Sequence, residues 1–73
     1  MANRKLLSEI TGKVWKIISR PGDQLAEGDT IMVFESMKME IPLIADMNGI
    51  LREILVIEGQ QISEGEPVAI LGY

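Results

Sequence analysis

An all-β fold built from two similar halves is what this 73-residue sequence predicts, on three observations. The chain repeats itself once, glycine or proline interrupts nearly every ten-residue window, and the runs between the breaks are short and rich in β-branched residues. Shifting the sequence by 37 positions lays residues 6–36 over 43–73 without a gap. Seven pairs are identical: Leu6/Leu43, Gly12/Gly49, Ile17/Ile54, Gly22/Gly59, Gln24/Gln61, Glu27/Glu64 and Gly28/Gly65. Eleven more exchange apolar for apolar or acid for acid, among them Val14/Leu51, Leu25/Ile62 and Val33/Ile70. Six of the seven glycines fall into these pairs, so backbone geometry recurs along with side chains. The frequent breaks leave no room for a stable amphipathic helix.

In the first half, residues 13–18 are rich in β-branched and aromatic residues and predict a strand. Arg20-Pro21-Gly22-Asp23 fits a type II turn, because proline presets φ at the second position and glycine accepts a positive φ at the third. Glu27-Gly28-Asp29 marks another turn, and 30–35 the next strand. The second half follows the same order, with a strand over 49–57, turns at Glu58-Gly59-Gln60 and Glu64-Gly65-Glu66, and a last strand over 67–71. Ile31-Met32-Val33-Phe34 and Ile54-Leu55-Val56-Ile57 are apolar at both parities, which predicts burial on both faces. Two four-stranded halves wrapped around a shared core satisfy these constraints.

One internal segment, Met37-Lys38-Met39-Glu40-Ile41-Pro42, has no partner in the repeat. Between the strand-like runs 31–36 and 39–44, only Met37-Lys38 remains to turn the chain, which predicts a two-residue hairpin with the lysine at its tip. Such turns favour Asn-Gly or Asp-Gly, so methionine and lysine there carry strain. By the same offset Lys38 corresponds to Met1 or to a position beyond the last residue. A two-fold relation between the halves then sets the lysine and the termini at opposite ends.

Composition bounds the function. The length predicts a single domain over residues 1–73, and an apolar content of 47% is enough for a core. With no cysteine there is no disulfide or thiolate zinc site, and with no histidine the commonest base and metal ligand is missing. The carboxylates fall at turn positions that the repeat already explains, so no catalytic residue and no metal site is expected. Lys and Arg are scattered through a chain of net charge −4, which argues against nucleic acid. No run approaches the roughly 20 apolar residues of a membrane span, and Met1-Ala2-Asn3-Arg4-Lys5 does not open a signal peptide. A soluble, cytoplasmic chain without membrane contact is expected. On composition alone Lys38 reads as an ordinary solvated lysine.

Glu35-Ser36-Met37-Lys38-Met39-Glu40 resembles the Glu-Ala-Met-Lys-Met segment of the biotinyl domains, the biotin carboxyl carriers of biotin-dependent carboxylases. The resemblance extends to Gly12, Pro21-Gly22-Asp23, Glu27-Gly28, Ala45, Gly49, Glu58-Gly59 and Glu64-Gly65. It implies the family fold, a flattened eight-stranded β-barrel (a barrel-sandwich hybrid) of two quasi-symmetric sheets, with biotin in amide linkage to Lys38. It further implies that Met37 and Met39 mark the lysine for biotin protein ligase, and that Glu35 aids ligase recognition and rejection of lipoylation. The same residues admit plainer roles, hairpin packing for the methionines and a solvated strand position for Glu35. Trp15 reads as packing rather than a ligand platform.

The implied function is that of a non-catalytic carrier. A separate biotin carboxylase, using ATP and bicarbonate, would carboxylate the ureido nitrogen, and a carboxyltransferase would pass the carboxyl group to its acceptor. An acetyl-CoA carboxylase of fatty acid biosynthesis is the expected setting, with transient docking and a monomeric isolated domain. Lipoyl domains share the fold and the hairpin but usually carry Asp-Lys-Ala, so lipoyl carriage in a 2-oxo acid dehydrogenase, or dual attachment, is the alternative. The sequence departs from the family pattern at Ser36, where alanine is usual, and in 8–12, which lacks the usual prolines. Neither a thumb insertion around 18–21 nor an Ala/Pro-rich N-terminal linker is present, which points to a thumbless carrier, free-standing or part of a larger carboxylase.

Overall fold

Eight strands, and no helix among the described residues 2–73, make up the computed structural model. They are β1 (Asn3–Leu7), β2 (Gly12–Ile17), β3 (Gln24–Leu25), β4 (Thr30–Ser36), β5 (Met39–Ile44), β6 (Gly49–Ile54), β7 (Gln61–Ile62) and β8 (Pro67–Gly72). Two four-stranded antiparallel sheets result, ordered β1-β8-β6-β3 and β5-β4-β2-β7. The paired inner strands of each sheet come from one half of the repeat and the edge strands from the other, so each half completes the other's four-stranded sheet.

Exchange of backbone hydrogen bonds makes the two-fold relation explicit. Gly22 N–H donates to the Leu51 carbonyl at 2.7 Å, and its repeat partner Gly59 donates to that of Val14, the partner of Leu51, at 2.7 Å. The return bonds run from Leu51 N–H to Asp23 O and from Val14 N–H to Gln60 O, both 2.9 Å. The glycines that support this exchange have φ of 98° at Gly22 and 90° at Gly59, a region costly for any residue with a Cβ. Each of the four glycine turns is also clasped by the side chain of its last residue. Asp23 accepts from Arg20 N–H and Asp29 from Ala26 N–H, while Gln60 and Glu66, their repeat partners, accept from Ile57 N–H and Ser63 N–H.

The core consists of the paired apolar positions. Val14 and Leu51, Leu25 and Ile62, Ile31 and Val68, Met32 and Ala69, and Phe34 and Leu71 are all buried. Ile31 and Met32 are both fully buried as expected, and a register shift between Thr30 and Met32 explains how consecutive residues reach one core. The second apolar run departs from expectation, because β6 stops at Ile54 and leaves Leu55 and Ile57 exposed around a buried Val56. Its partner strand begins at Pro67, which has no N–H to donate, so pairing ends with the bond from Leu55 N–H to Val68 O. The barrel likewise does not close. Its sheets end at the edge strands, β1 and β3 in one and β5 and β7 in the other, and the ion pair between Arg4 and Asp46, 2.7 Å long, lies in the groove lined by β1 and β5.

Strand β4 enters the lysine hairpin, while its counterpart β8 ends beside Ala2, which exchanges two 2.9 Å backbone bonds with Tyr73. The two-fold relation thus sets the hairpin and the paired termini at opposite ends of a body 36 Å long. The correspondence of Lys38 with Met1 lies outside the described residues.

Candidate functional site

Strands β4 and β5 run in register to the last pair, Ser36 opposite Met39, leaving only Met37 and Lys38 to reverse the chain. Their φ values, 52° and 65°, are both left-handed, as a type I′ turn requires. They are the only non-glycine residues with positive φ among those described. A methionine and a lysine there cost free energy that Asn-Gly would not.

Strain at the tip coincides with exposure. Met37 is 92% and Met39 64% exposed, so most of each side chain is open to solvent. Lys38 is also exposed, and no hydrogen bond or ion pair engages its ammonium group among the described residues. Glu35, exposed on β4, stands opposite Lys13 of β2 on one side and Glu40 of β5 on the other. All four residues singled out in the sequence, Glu35, Met37, Lys38 and Met39, therefore gather at one tip.

The base of the hairpin is braced by Ser36 and Gly12, which the sequence singled out for other reasons, and by Thr11, which it did not. Ser36 Oγ donates to the Thr11 carbonyl at 3.0 Å, and Thr11 Oγ1 accepts from Glu64 N–H at 3.1 Å. Gly12 lies so close to β4 that a Cβ on it would meet the Glu35 carbonyl oxygen at 2.5 Å. The identity of Gly12 and Gly49 was the available signal, since Gly49 approaches the Gly72 carbonyl in the same way at the other end. Trp15 lies at the bulge of β2, partly exposed, with Lys16 Nζ 5.9 Å from its ring centre. It takes no part in the tip.

This arrangement offers an accessible primary amine on a short, firmly based loop, flanked by two flexible thioethers. An amine so placed can be acylated by a partner enzyme without unfolding of the chain, and a group attached there projects away from the body. The residues fit a covalently attached cofactor, since an amide needs only this amine and no cradle. No cluster of three or more His, Cys, Asp or Glu side chains able to hold a metal occurs among the described residues, and no helix is long and apolar enough to cross a membrane.

Comparison with known proteins agrees with this class of site. Residues 7–71 match the family model described as biotin-requiring enzyme, the biotin/lipoyl attachment domain. The chain is 41% identical over 58 residues to a biotin/lipoyl attachment protein of Bacillus subtilis, covering 80% of each. It is 38% identical over 64 residues to a biotinylated protein homolog of Mycobacterium leprae, covering 88% of this chain and 90% of that one. Among solved structures, a single-chain, multi-domain long-chain acyl-CoA carboxylase superposes with a TM-score of 0.91 at 26% identity. That match covers 96% of this chain but only 7% of the carboxylase. The chain belongs to the biotin/lipoyl attachment family, as a biotinyl domain. Covalently bound biotin is the cofactor that this membership assigns.

Proposed function

We propose that this chain is a single carrier domain, without catalytic activity of its own, that holds biotin in amide linkage to Lys38. The observation that carries the proposal is the strained, exposed Met37-Lys38 turn at the end opposite the termini. When bound, biotin supplies a ureido nitrogen on which a carboxyl group can travel. The chain's own residues position that arm. The left-handed turn projects the lysine from the tip, Thr11, Gly12 and Ser36 fix the hairpin base, and the exposed Met37 and Met39 offer adaptable apolar contacts to biotin protein ligase. Glu35, three positions before the lysine on the same hairpin, adds a charge by which the ligase could select this lysine.

A tethered arm raises the local concentration of biotin at two active sites in turn. The partners in this reading are a biotin carboxylase and a carboxyltransferase, in an acetyl-CoA carboxylase of the cytoplasm. An acidic surface suits transient docking by a monomeric domain. The test is intact mass after incubation with biotin, ATP and biotin protein ligase. The wild-type chain gains one biotinyl group and Lys38→Arg gains none, whereas an unmodified wild-type chain under a ligase active on another carrier would refute the assignment.

The Bacillus subtilis relative, a biotin/lipoyl attachment protein, supports a second reading in which lipoyl occupies the same lysine. A lipoyl adduct on the chain purified from its own host would favour that reading over biotin.

A further inference from the structure

We propose that Met37 and Met39 form an oxidation site whose modification blocks the loading of Lys38. The inference rests on the reading of Lys38 as the attachment point and adds a chemistry that the reading does not contain. Methionine sulfur oxidises where reagent can reach it, and burial protects it. The chain sorts its methionines sharply by this criterion. Met32 is fully buried and Met47 packs partly against the core, whereas Met37 is 92% and Met39 64% exposed. The two most exposed thioethers among the described residues thus flank the one lysine at the hairpin tip.

The oxidant is a hydroperoxide, hydrogen peroxide being the simplest. A sulfur lone pair attacks one peroxide oxygen, the S–O bond forms as the O–O bond breaks, and the departing hydroxide takes the proton of the new S–OH group, leaving as water and giving the neutral sulfoxide. Sulfur loses two electrons and the peroxide gains them. The product replaces a flexible apolar thioether by a polar sulfoxide, whose oxygen is an acceptor beside the Lys38 ammonium group. A ligase surface shaped to an apolar side chain must then desolvate that oxygen. Because the tip is outside the core, the fold is untouched and the change is confined to recognition.

The experiment treats the full, unloaded chain with graded hydrogen peroxide and maps each sulfoxide by tandem mass spectrometry. It then measures the initial rate of loading with biotin, ATP and biotin protein ligase, before and after incubation with methionine sulfoxide reductases of both epimer specificities and a dithiol. Met37 and Met39 are expected to oxidise roughly tenfold or more faster than Met32, with a roughly tenfold fall in loading rate that the reductases reverse. Met47→Leu shows the same loss, which assigns it to the tip. Oxidation of Met32 at the rate of Met37, loading of the doubly oxidised chain at the untreated rate, or a loss that Met47→Leu abolishes would each overturn the proposal. A chain that takes no biotin before any peroxide is added would overturn the attachment reading itself, and this result is distinguishable because it precedes oxidation.

Discussion

Replacing Met37-Lys38 by Asn-Gly should stabilise the fold while removing its function. Both residues sit at left-handed φ, 52° and 65°. A left-handed residue with an unbranched Cβ costs about 1–2 kcal/mol, so glycine at 38 relieves roughly that amount. The gain is offset by about 0.4–1 kcal/mol, because glycine gives the unfolded chain more freedom to lose. Asparagine tolerates the left-handed region better than methionine and adds about 0.5 kcal/mol. No packing is forfeited, since Met37 is 92% exposed and Lys38 is also exposed. The net is about 1 kcal/mol of added stability, which for a domain of this size raises Tm by about 4–8 °C. Urea unfolding followed by circular dichroism reads this as a higher midpoint with an unchanged slope. A midpoint equal to or below that of the wild type would refute the idea that the tip is strained. The same variant has no amine at 38 and takes no biotin.

Other consequences follow from single contacts. Gly12→Ala drives a Cβ to 2.5 Å from the Glu35 carbonyl oxygen and 3.2 Å from Ser36 Cβ, so overpacking of about 1–3 kcal/mol exceeds the roughly 0.4–1 kcal/mol gained through the unfolded state. A net loss of about 1.5 kcal/mol lowers Tm by about 6–12 °C in thermal unfolding, and an unchanged Tm would mean that the approach of β2 to β4 is looser than described. Ser36→Ala removes the bond to the Thr11 carbonyl and costs about 0.5–1.5 kcal/mol. Faster amide exchange at residues 36–39 than in Ser36→Thr, which keeps the hydroxyl, checks it. Arg4→Ala breaks an ion pair whose side chains are 53% and 48% exposed, so the midpoint shift should stay small, below about 1 kcal/mol, and vanish in high salt.

What the sequence revealed and what it hid divide along a physical line. The type II turn at Arg20-Pro21-Gly22-Asp23 was legible because its geometry is set by its own four residues, and Gly22 has φ 98° with Asp23 N–H donating to Arg20 O. The Met37-Lys38 hairpin was legible because two strand-like runs left no third residue for the reversal. By contrast β3 and β7, two residues each, exist only through their partners β6 and β2, and no local pattern announces so short a strand. β1 escaped notice because Asn3, Arg4 and Lys5 lack the apolar signature of a strand, yet pairing with β8 extends them. The premature end of β6 was hidden for the same reason, since the proline that stops its ladder lies in another strand. At the tip, Glu35, Met37, Lys38 and Met39 lie within five consecutive positions and were visible together. Thr11 and Glu64 were not, because the bonds that bring them to the hairpin base span 25 and 53 positions of chain.

The repeat also explains why a strained tip can be tolerated. Four of the hydrogen bonds that join the halves, from Gly22, Gly59, Gly28 and Gly65 to carbonyls of the opposite half, involve neither Met37 nor Lys38. Among the described residues, none of 35–44 is buried, and of its apolar side chains only Ile41 and Leu43 are half-buried. Cooperative stability thus resides in the interleaved sheets, and the turn contributes little to it. At the opposite end Ala2 and Tyr73 exchange backbone bonds, as their repeat counterparts Met39 and Ser36 pair at the base of the hairpin. The lysine of this hairpin thus stands where a loop can be strained and exposed at small cost to the fold.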